Sequence, residues 1–163
     1  MYVEVLQKIS AGQTGRVGGD VQSRHFAIKR GTKQGDPISP SLFISALECA
    51  MRGVQEDWRN RGMGFALGRR REQILCNLRF ADGLIIFASS AEQLHTMVEE
   101  LAGAVYKFGL EIHFGNANIL SNVRDEERGG RKSFEVKGKT VEYVSYGGSV
   151  EYLGRLFSFG GFA

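Results

Sequence analysis

The chain has 163 residues, 42% hydrophobic and 24% charged, a balance that fits one globular domain with its own core and excludes wholesale disorder. Its 21 basic and 18 acidic side chains leave a formal net charge of +3, too weak to predict a polyanionic partner by itself. No run approaches the roughly 18 apolar residues that cross a bilayer, Glu4 and Lys8 stand where a secretion signal would be apolar, and Cys49 and Cys76 lack the spacing of a disulfide framework or zinc site.

Val3, Leu6 and Ile9 share one helical face, so the chain opens on a short helix with no cap before it. Residues 14–30, rich in Gly, Val, Arg and Thr with Phe26 and Ile28 alternating, predict a glycine-kinked strand pair. Residues 30–37 form a turn-rich loop, and Ser39-Pro40 is the cap and first-turn pairing of a helix. Leu42, Phe43, Ala46, Leu47, Ala50, Val54 and Trp58 recur at three- and four-residue spacing, predicting a helix over 40–60 that Gly62 and Gly64 end. Cys76, Leu78 and Phe80 fall on one face of a strand, Asp82-Gly83 is a strong turn signal, and residues 84–87 read as a strand buried on both faces. Ser90 and Gln93 form a capping box, after which Leu94, Val98, Leu101, Val105 and Phe108 carry a second helix to Gly109. Residues 110–113 and 118–123 are strand candidates, 134–144 a hairpin about Gly138, and 151–157 a further apolar strand. Helix, two strands, helix, strand is the order of a split α+β sandwich lacking its first strand.

The charges are unevenly spread. Lys8, Arg16, Arg24, Lys29, Arg30 and Lys33 crowd residues 1–34, and Arg59, Arg61, Arg69, Arg70, Arg71 and Arg79 crowd residues 59–79. Converging in space, the two segments would track a phosphate backbone and bind in a salt-dependent way; the plainer alternative is a solvated surface. Residues 124–132 mix both signs around a Gly pair and read as a mobile connection. His25, His95 and His113 show no metal-ligand spacing, and His95 falls on an exposed helix position, so all three read as incidental. Cys49 and Cys76 read as small buried residues.

Four motifs follow one another in order: residues 30–43 with Gln34-Gly35-Asp36-Pro37 and Ser39-Pro40, then Arg79-Phe80-Ala81-Asp82-Gly83, then Gly109-Leu110-Glu111-Ile112-His113, then Tyr152-Leu153-Gly154. Together, essentially from Tyr2 to Phe157, they resemble the reverse transcriptases of non-LTR retrotransposons over the palm subdomain and the approach to the thumb. The resemblance implies a polymerase-palm-like split βαββαβ sandwich of α+β class lacking its first strand, followed by a β-hairpin region leading towards the thumb. It divides the chain into a partial palm at 1–123, the connection at 124–133 and a β-rich primer-grip-like segment at 134–163. It further implies RNA-directed DNA polymerisation, Mg²⁺ as cofactor, here expected to be weakly bound or absent, and an RNA template, a DNA primer and deoxynucleotides as partners. The lack of a secretion or transmembrane signal sets the expectation of no membrane partner and an intracellular, nuclear or cytoplasmic setting. By the same resemblance Gln34, Gly35, Asp36 and Pro37 would floor a nucleotide and template pocket. Phe80, Ala81, Asp82 and Gly83 would form the catalytic hairpin, and Tyr152, Leu153 and Gly154 the primer grip.

Departures from the family pattern fall on its chemistry. Two metals about 3.5–4 Å apart need several carboxylates, which the family takes from its first palm strand and from an aspartate pair at the hairpin tip. The chain begins beyond that strand, and Gly83 takes the place of the second aspartate, which leaves Asp82 as the sole catalytic candidate and metal ligand. Asp82 also has a plain alternative as the first central residue of a type I′ turn. Asn116-Ala117-Asn118 aligns with a Lys-Thr-Lys-like segment, so a cation is absent where one would assist pyrophosphate departure. The expectation is a truncated polymerase segment that is inactive alone, with open sheet edges that invite pairing with other chains. The alternatives are a noncatalytic nucleic-acid-binding module using Arg16, Lys29, Arg30, Lys33, Arg69, Arg70 and Arg71, or a decayed retroelement relic.

Overall fold

The computed structural model describes residues 4, 7, 8, 11–19, 22–28, 31–68, 73–129 and 131–159. The chain forms two compact units, Met1–Phe43 and Ile44–Ala163. In the first, Glu4, Gln7 and Lys8 are helical, while the stripe of Val3, Leu6 and Ile9 lies outside the described residues. The expected strand pair is short: β1 (Thr14–Gly15) runs antiparallel to β2 (Phe26–Ala27). The exposed Phe26 ring lies over Gly15, with its tip 2.7 Å from where a Cβ would sit; that side chain is free to turn away, so the contact alone does not demand glycine there.

Helix α1 (Ser39–Asn60) carries the predicted stripe, of which Ala50 and Trp58 are buried together with Met51. It ends in a Schellman motif: Met63 N–H donates to the Trp58 carbonyl at 2.7 Å and Gly62 N–H to that of Arg59 at 3.0 Å, with Gly62 at φ +67. Strands β3 (Phe65–Leu67) and β4 (Gln73–Leu75) form an antiparallel pair, as do β5 (Asn77–Phe80) and β6 (Gly83–Ile86). Helix α2 (Ala91–Lys107) closes in the same way as α1, with Leu110 N–H donating to the Val105 carbonyl at 3.1 Å and Gly109 to that of Tyr106 at 3.0 Å. In both motifs the residue after the glycine, Met63 or Leu110, turns back onto the core beside the last helical turn.

A 3₁₀ turn (Phe114–Asn116) leads to β7 (Asn118–Ile119), which pairs in parallel with β9 (Lys139–Tyr143); β8 (Ser133–Val136) pairs antiparallel with β9 on its other side. The β8–β9 turn is Lys137-Gly138, both with positive φ, as the Gly138 signal predicts. Strands β10 (Ser149–Tyr152) and β11 (Arg155–Ser158) make a closing hairpin where the sequence suggested one strand. The predicted α+β order of helix, hairpin, helix and strand is present as α1, β5–β6, α2 and β7. Among the described residues the strands form separate small sheets, the largest of three strands.

The main core joins Ala50, Met51 and Trp58 of α1 to Met63, Cys76 and the α2 residues Met97, Leu101 and Val105. Burial of these side chains is the main force holding both helices to the hairpins, at about 1.5–3 kcal/mol for each large apolar side chain. A smaller apolar group, Ile119, Val136 and Val141, lies in the three-stranded sheet. Gln93 fastens the start of α2: its N–H donates to Ser90 Oγ at 3.1 Å, and its Oε1 accepts from Ser89 N–H at 2.9 Å and Gly64 N–H at 3.0 Å. The capping box is therefore present, but its return bond reaches one residue before the cap and also holds the start of β3.

Several local expectations change. Cys49 is exposed and not buried, and the strand expected over 118–123 is confined to Asn118–Ile119. Residues 110–113 are not a strand: Leu110 closes the Schellman motif, and residues 111–113 lead without regular structure into the 3₁₀ turn. Cys76 does not share a face with Leu78 and Phe80, because it lies between β4 and β5, outside the alternation: Cys76 is buried, Leu78 and Phe80 are exposed, and Asn77 is buried in their stead. His95 is not incidental, since its Nε2 meets the Glu135 carbonyl at 2.7 Å and its ring packs edge-on to Phe134, which joins α2 to β8. Residues 124–129 form turns in which Asp125 pairs with Arg128 and accepts from Tyr146 N–H at 3.0 Å, while Arg128 lies over the Tyr143 ring.

Candidate functional site

The β5–β6 hairpin carries the residues expected at the centre of the candidate site. Its register pairs Phe80 with Gly83, so the two-residue turn is Ala81-Asp82, one position earlier than the Asp-Gly signal suggests. Ala81 takes the left-handed backbone, at φ 52, and Asp82 is exposed at the tip. Asp82 is therefore the second central residue of the turn, which corrects the type I′ expectation for Asp82-Gly83. Arg79, the residue before Phe80, is ion-paired to Glu48 of α1 at 2.9 Å, which fixes the hairpin to that helix. The Phe80 ring is 64% exposed and so contributes little to the core.

Gly83 is not at positive φ, so the conformational freedom of glycine does not explain it. Its surroundings do. A Cβ built on Gly83 would lie 3.1 Å from Tyr152 Cε2 and 3.2 Å from the Phe80 carbonyl oxygen. Tyr152 reaches this point from the end of β10, and its hydroxyl donates to the Gly83 carbonyl at 3.3 Å. The β10–β11 turn is Leu153-Gly154, both with positive φ, and Tyr152 packs edge-on against Phe157 at 6.3 Å. Two predicted sites, the hairpin tip and the Tyr152-Leu153-Gly154 segment, therefore meet through the Tyr152 side chain. Leu153 and Gly154 themselves are exposed.

Gln34, Gly35, Asp36 and Pro37 belong to the first unit. Asp36 N–H donates to the Lys33 carbonyl at 3.2 Å across a turn whose third residue is Gly35 at φ +85, a backbone that glycine alone adopts without strain. Asp36 then caps the entry to α1: its Oδ1 accepts from Ile38 N–H at 3.1 Å and its carbonyl from Ser39 N–H at 3.0 Å, with Pro37 at the first position of that turn. This corrects the Ser39-Pro40 cap. The Ser39 hydroxyl donates instead to the Lys33 carbonyl at 2.6 Å and is buried. Lys33 and Gln34 are exposed, and Arg16 Nε donates to the Ser23 carbonyl at 3.3 Å. Lys29, Arg30, Arg69, Arg70 and Arg71 lie outside the described residues.

Among the described residues, no three His, Cys, Asp or Glu side chains are grouped to hold a metal ion. Asp82 is exposed, and its neighbour Gly83 brings no side chain. These residues do not fit a resident pair of divalent cations. An open cleft of about 500 Å³ is lined by Glu111, Ile112, His113, Phe114, Gly115, Lys139 and Thr140, none of them a predicted site residue. No helix among the described residues is long and apolar enough to cross a membrane.

A polar junction between α1 and α2 escaped the sequence reading. Glu100 accepts from the Trp58 indole at 2.8 Å and from Arg61 at 2.6 Å, while Arg61 also pairs with Asp57 at 2.7 Å. The Arg61 hydrogen bond holds the Glu100 carboxyl below its ordinary range; burial opposes that shift and the Trp58 bond adds to it. Burial pushes the Cys76 thiol up, and the thiol donates to the Met63 carbonyl at 3.2 Å. The only signal of this junction in the sequence is a tryptophan on an apolar stripe, which must place its indole N–H.

Comparison with known proteins gives consistent matches. Residues 3–154 match the family described as reverse transcriptase (RNA-dependent DNA polymerase). The chain is 32% identical over 98 residues, 60% of its length, to the Retrovirus-related Pol polyprotein from type-1 retrotransposable element R2 of Popillia japonica. It is 26% identical over 142 residues, 84% of its length, to the protein of the same description from Nasonia vitripennis. It is also 26% identical over 114 residues to the Retrovirus-related Pol polyprotein from type-2 retrotransposable element R2DM of Drosophila melanogaster. The matched regions span 13%, 13% and 10% of those three proteins.

Proposed function

Because the chain belongs to the reverse transcriptase family, we propose that it is a palm segment of a non-LTR retrotransposon polymerase, and that it does not catalyse RNA-directed DNA synthesis by itself. The observation that carries this is the isolated carboxylate: Asp82 stands exposed at the hairpin tip, with no metal-holding group of side chains among the described residues. Cations about 3.5–4 Å apart repel one another unless several carboxylates offset their charge. Mg²⁺ also sheds its water reluctantly and is not held by one solvated carboxylate. In this reading Gly83 replaces the second hairpin aspartate.

The other roles follow the family. Gln34, Gly35, Asp36 and Pro37 floor the template and nucleotide pocket, Phe80 and Ala81 shape the hairpin, and Tyr152, Leu153 and Gly154 hold a primer end. RNA template, DNA primer and deoxynucleotides are the partners of the ancestral reaction. Residues 1–123 are the palm part, 124–133 the connection and 134–163 the primer-grip-like part.

Mn²⁺ titration followed by electron paramagnetic resonance tests the metal side of this reading. The expected result is no stoichiometric Mn²⁺ site; a stoichiometric site that disappears in Asp82→Asn would overturn it.

A second reading, a binding module using Arg16, Lys29, Arg30, Lys33, Arg69, Arg70 and Arg71, is favoured by the exposure of Lys33 on a turn whose backbone is fixed by Asp36 and Ser39. It expects affinity for an RNA–DNA hybrid to fall linearly with salt on logarithmic axes, with a slope of about 0.7–0.9 for each phosphate contacted. A flat response, or no binding at low salt, removes it.

A further inference from the structure

We propose that Tyr152 is a positioning residue for the β5–β6 hairpin, and that its ring and a side chain at residue 83 compete for the same space in this packing. The inference deepens the functional reading above and rests on it for the identity of the hairpin. Its physical basis is the contact between the hairpin tip and the end of β10. The Tyr152 hydroxyl donates to the Gly83 carbonyl, and Tyr152 Cε2 stands 3.1 Å from where a Cβ on Gly83 would sit. That separation is inside ordinary van der Waals contact, so one partner has to yield.

Neither yields easily. On one side Tyr152 ends β10 opposite Arg155, beside the tight Leu153-Gly154 turn, and its ring rests edge-on against Phe157. On the other, Gly83 begins β6 opposite Phe80, and the Phe80 carbonyl oxygen stands 3.2 Å from the same Cβ position. Moving the backbone away from the ring also stretches the hydroxyl bond, which is already 3.3 Å long. A carboxylate at residue 83 therefore requires more than Gly83→Asp: the Tyr152 ring or the hairpin backbone must give by a few tenths of an ångström as well. The contact fixes the direction of the hairpin tip and keeps the position beside Asp82 free of a side chain.

A double-mutant cycle on the full chain tests this, with Gly83→Ala, Tyr152→Ala and the pair compared by denaturant midpoint. Gly83→Ala is expected to lower the midpoint in the parent and to leave it unchanged or raised in the Tyr152→Ala background, the non-additivity of residues in contact. Equal losses in both backgrounds would overturn the proposal. Should Tyr152→Ala fail to fold, Tyr152→Phe keeps the ring and removes the hydroxyl. A shift of the Leu84 amide resonance in that variant, with the α2 amides unmoved, is the expected signature of the lost bond to the Gly83 carbonyl. An unmoved Leu84 amide contradicts the positioning role. Additive losses would remove the coupling and leave the family reading intact, whereas template-dependent synthesis by the unmodified chain would remove the inactivity reading and leave the coupling intact.

Discussion

Trp58→Ala is expected to lower the unfolding free energy by about 3–5 kcal/mol, the range for deleting a fully buried aromatic side chain. Trp58 is fully buried in the cluster that joins α1 to α2, and its indole donates to Glu100. Deletion leaves a cavity between the helices and removes one of the partners that hold the Glu100 carboxylate. Much of a marginal domain's stability, about 5–15 kcal/mol, would be lost. Denaturant unfolding followed by far-UV circular dichroism measures the change without relying on the chain's one tryptophan. Trp58→Phe is expected to lose less, because it keeps most of the packing and gives up the indole bond. A loss below about 1 kcal/mol for Trp58→Ala, the scale of surface substitutions, would show that the core is not organised around this residue.

Gly64→Ala is the second large effect, expected to cost at least about 2 kcal/mol from backbone strain and overpacking combined. Gly64 has φ +133, and a Cβ there would stand 2.7 Å from both Ile74 Cγ2 and the Leu75 carbonyl oxygen. The second of these is backbone in β4 and cannot rotate away. Its N–H also donates to Gln93, so a displacement of Gly64 reaches the start of α2. Gly103→Ala is the internal control: that glycine lies within α2 with nothing near its Cβ position, and alanine there is expected to gain about 0.5–1 kcal/mol from helix propensity. Midpoints from the same denaturant series decide both. Equal effects at the two positions would mean that the approach of β4 to Gly64 does not constrain the fold.

The helices were legible because their signals are local and repeated. Apolar residues at three- and four-residue spacing marked α1 and α2, and Gly62 and Gly109 ended them by a Schellman geometry that needs a left-handed residue. Where two local signals compete, sequence does not decide between them. Asp36-Pro37 and Ser39-Pro40 are both good helix entries, and the first prevails because the Lys33–Asp36 turn draws the Ser39 hydroxyl back to the Lys33 carbonyl.

Register was legible only where the turn residues admit one solution. Lys137-Gly138 sits where the hairpin signal placed it, but Asp82-Gly83 slips by one residue because Phe80 pairs with Gly83. Alternation failed at Cys76 for a related reason: the break between β4 and β5 falls on that residue, so the alternation starts from buried Asn77 and leaves Leu78 and Phe80 on the opposite, exposed face.

The candidate site followed the same division. Its residues were named by the resemblance to a family that the chain does belong to, yet their contacts were not foreseeable. Gly83 and Tyr152 are 69 positions apart, and no local period encodes a bond between a tyrosine hydroxyl and a distant carbonyl. The glycine read as a turn former is a strand residue whose missing side chain leaves room for an aromatic ring. The Glu100 junction was likewise hidden, since Trp58, Arg61 and Glu100 come together only when α1 and α2 pack.

Primer extension by the purified chain tests the proposed lack of catalysis most directly. An RNA template annealed to a DNA primer is incubated with the four deoxynucleotides and either Mg²⁺ or Mn²⁺, and products are resolved at single-nucleotide length against a template-free control. The single carboxylate at Asp82 predicts no template-dependent product with either ion. Extension that follows the template sequence and vanishes in Asp82→Ala would contradict it, showing that the hairpin retains a working metal site.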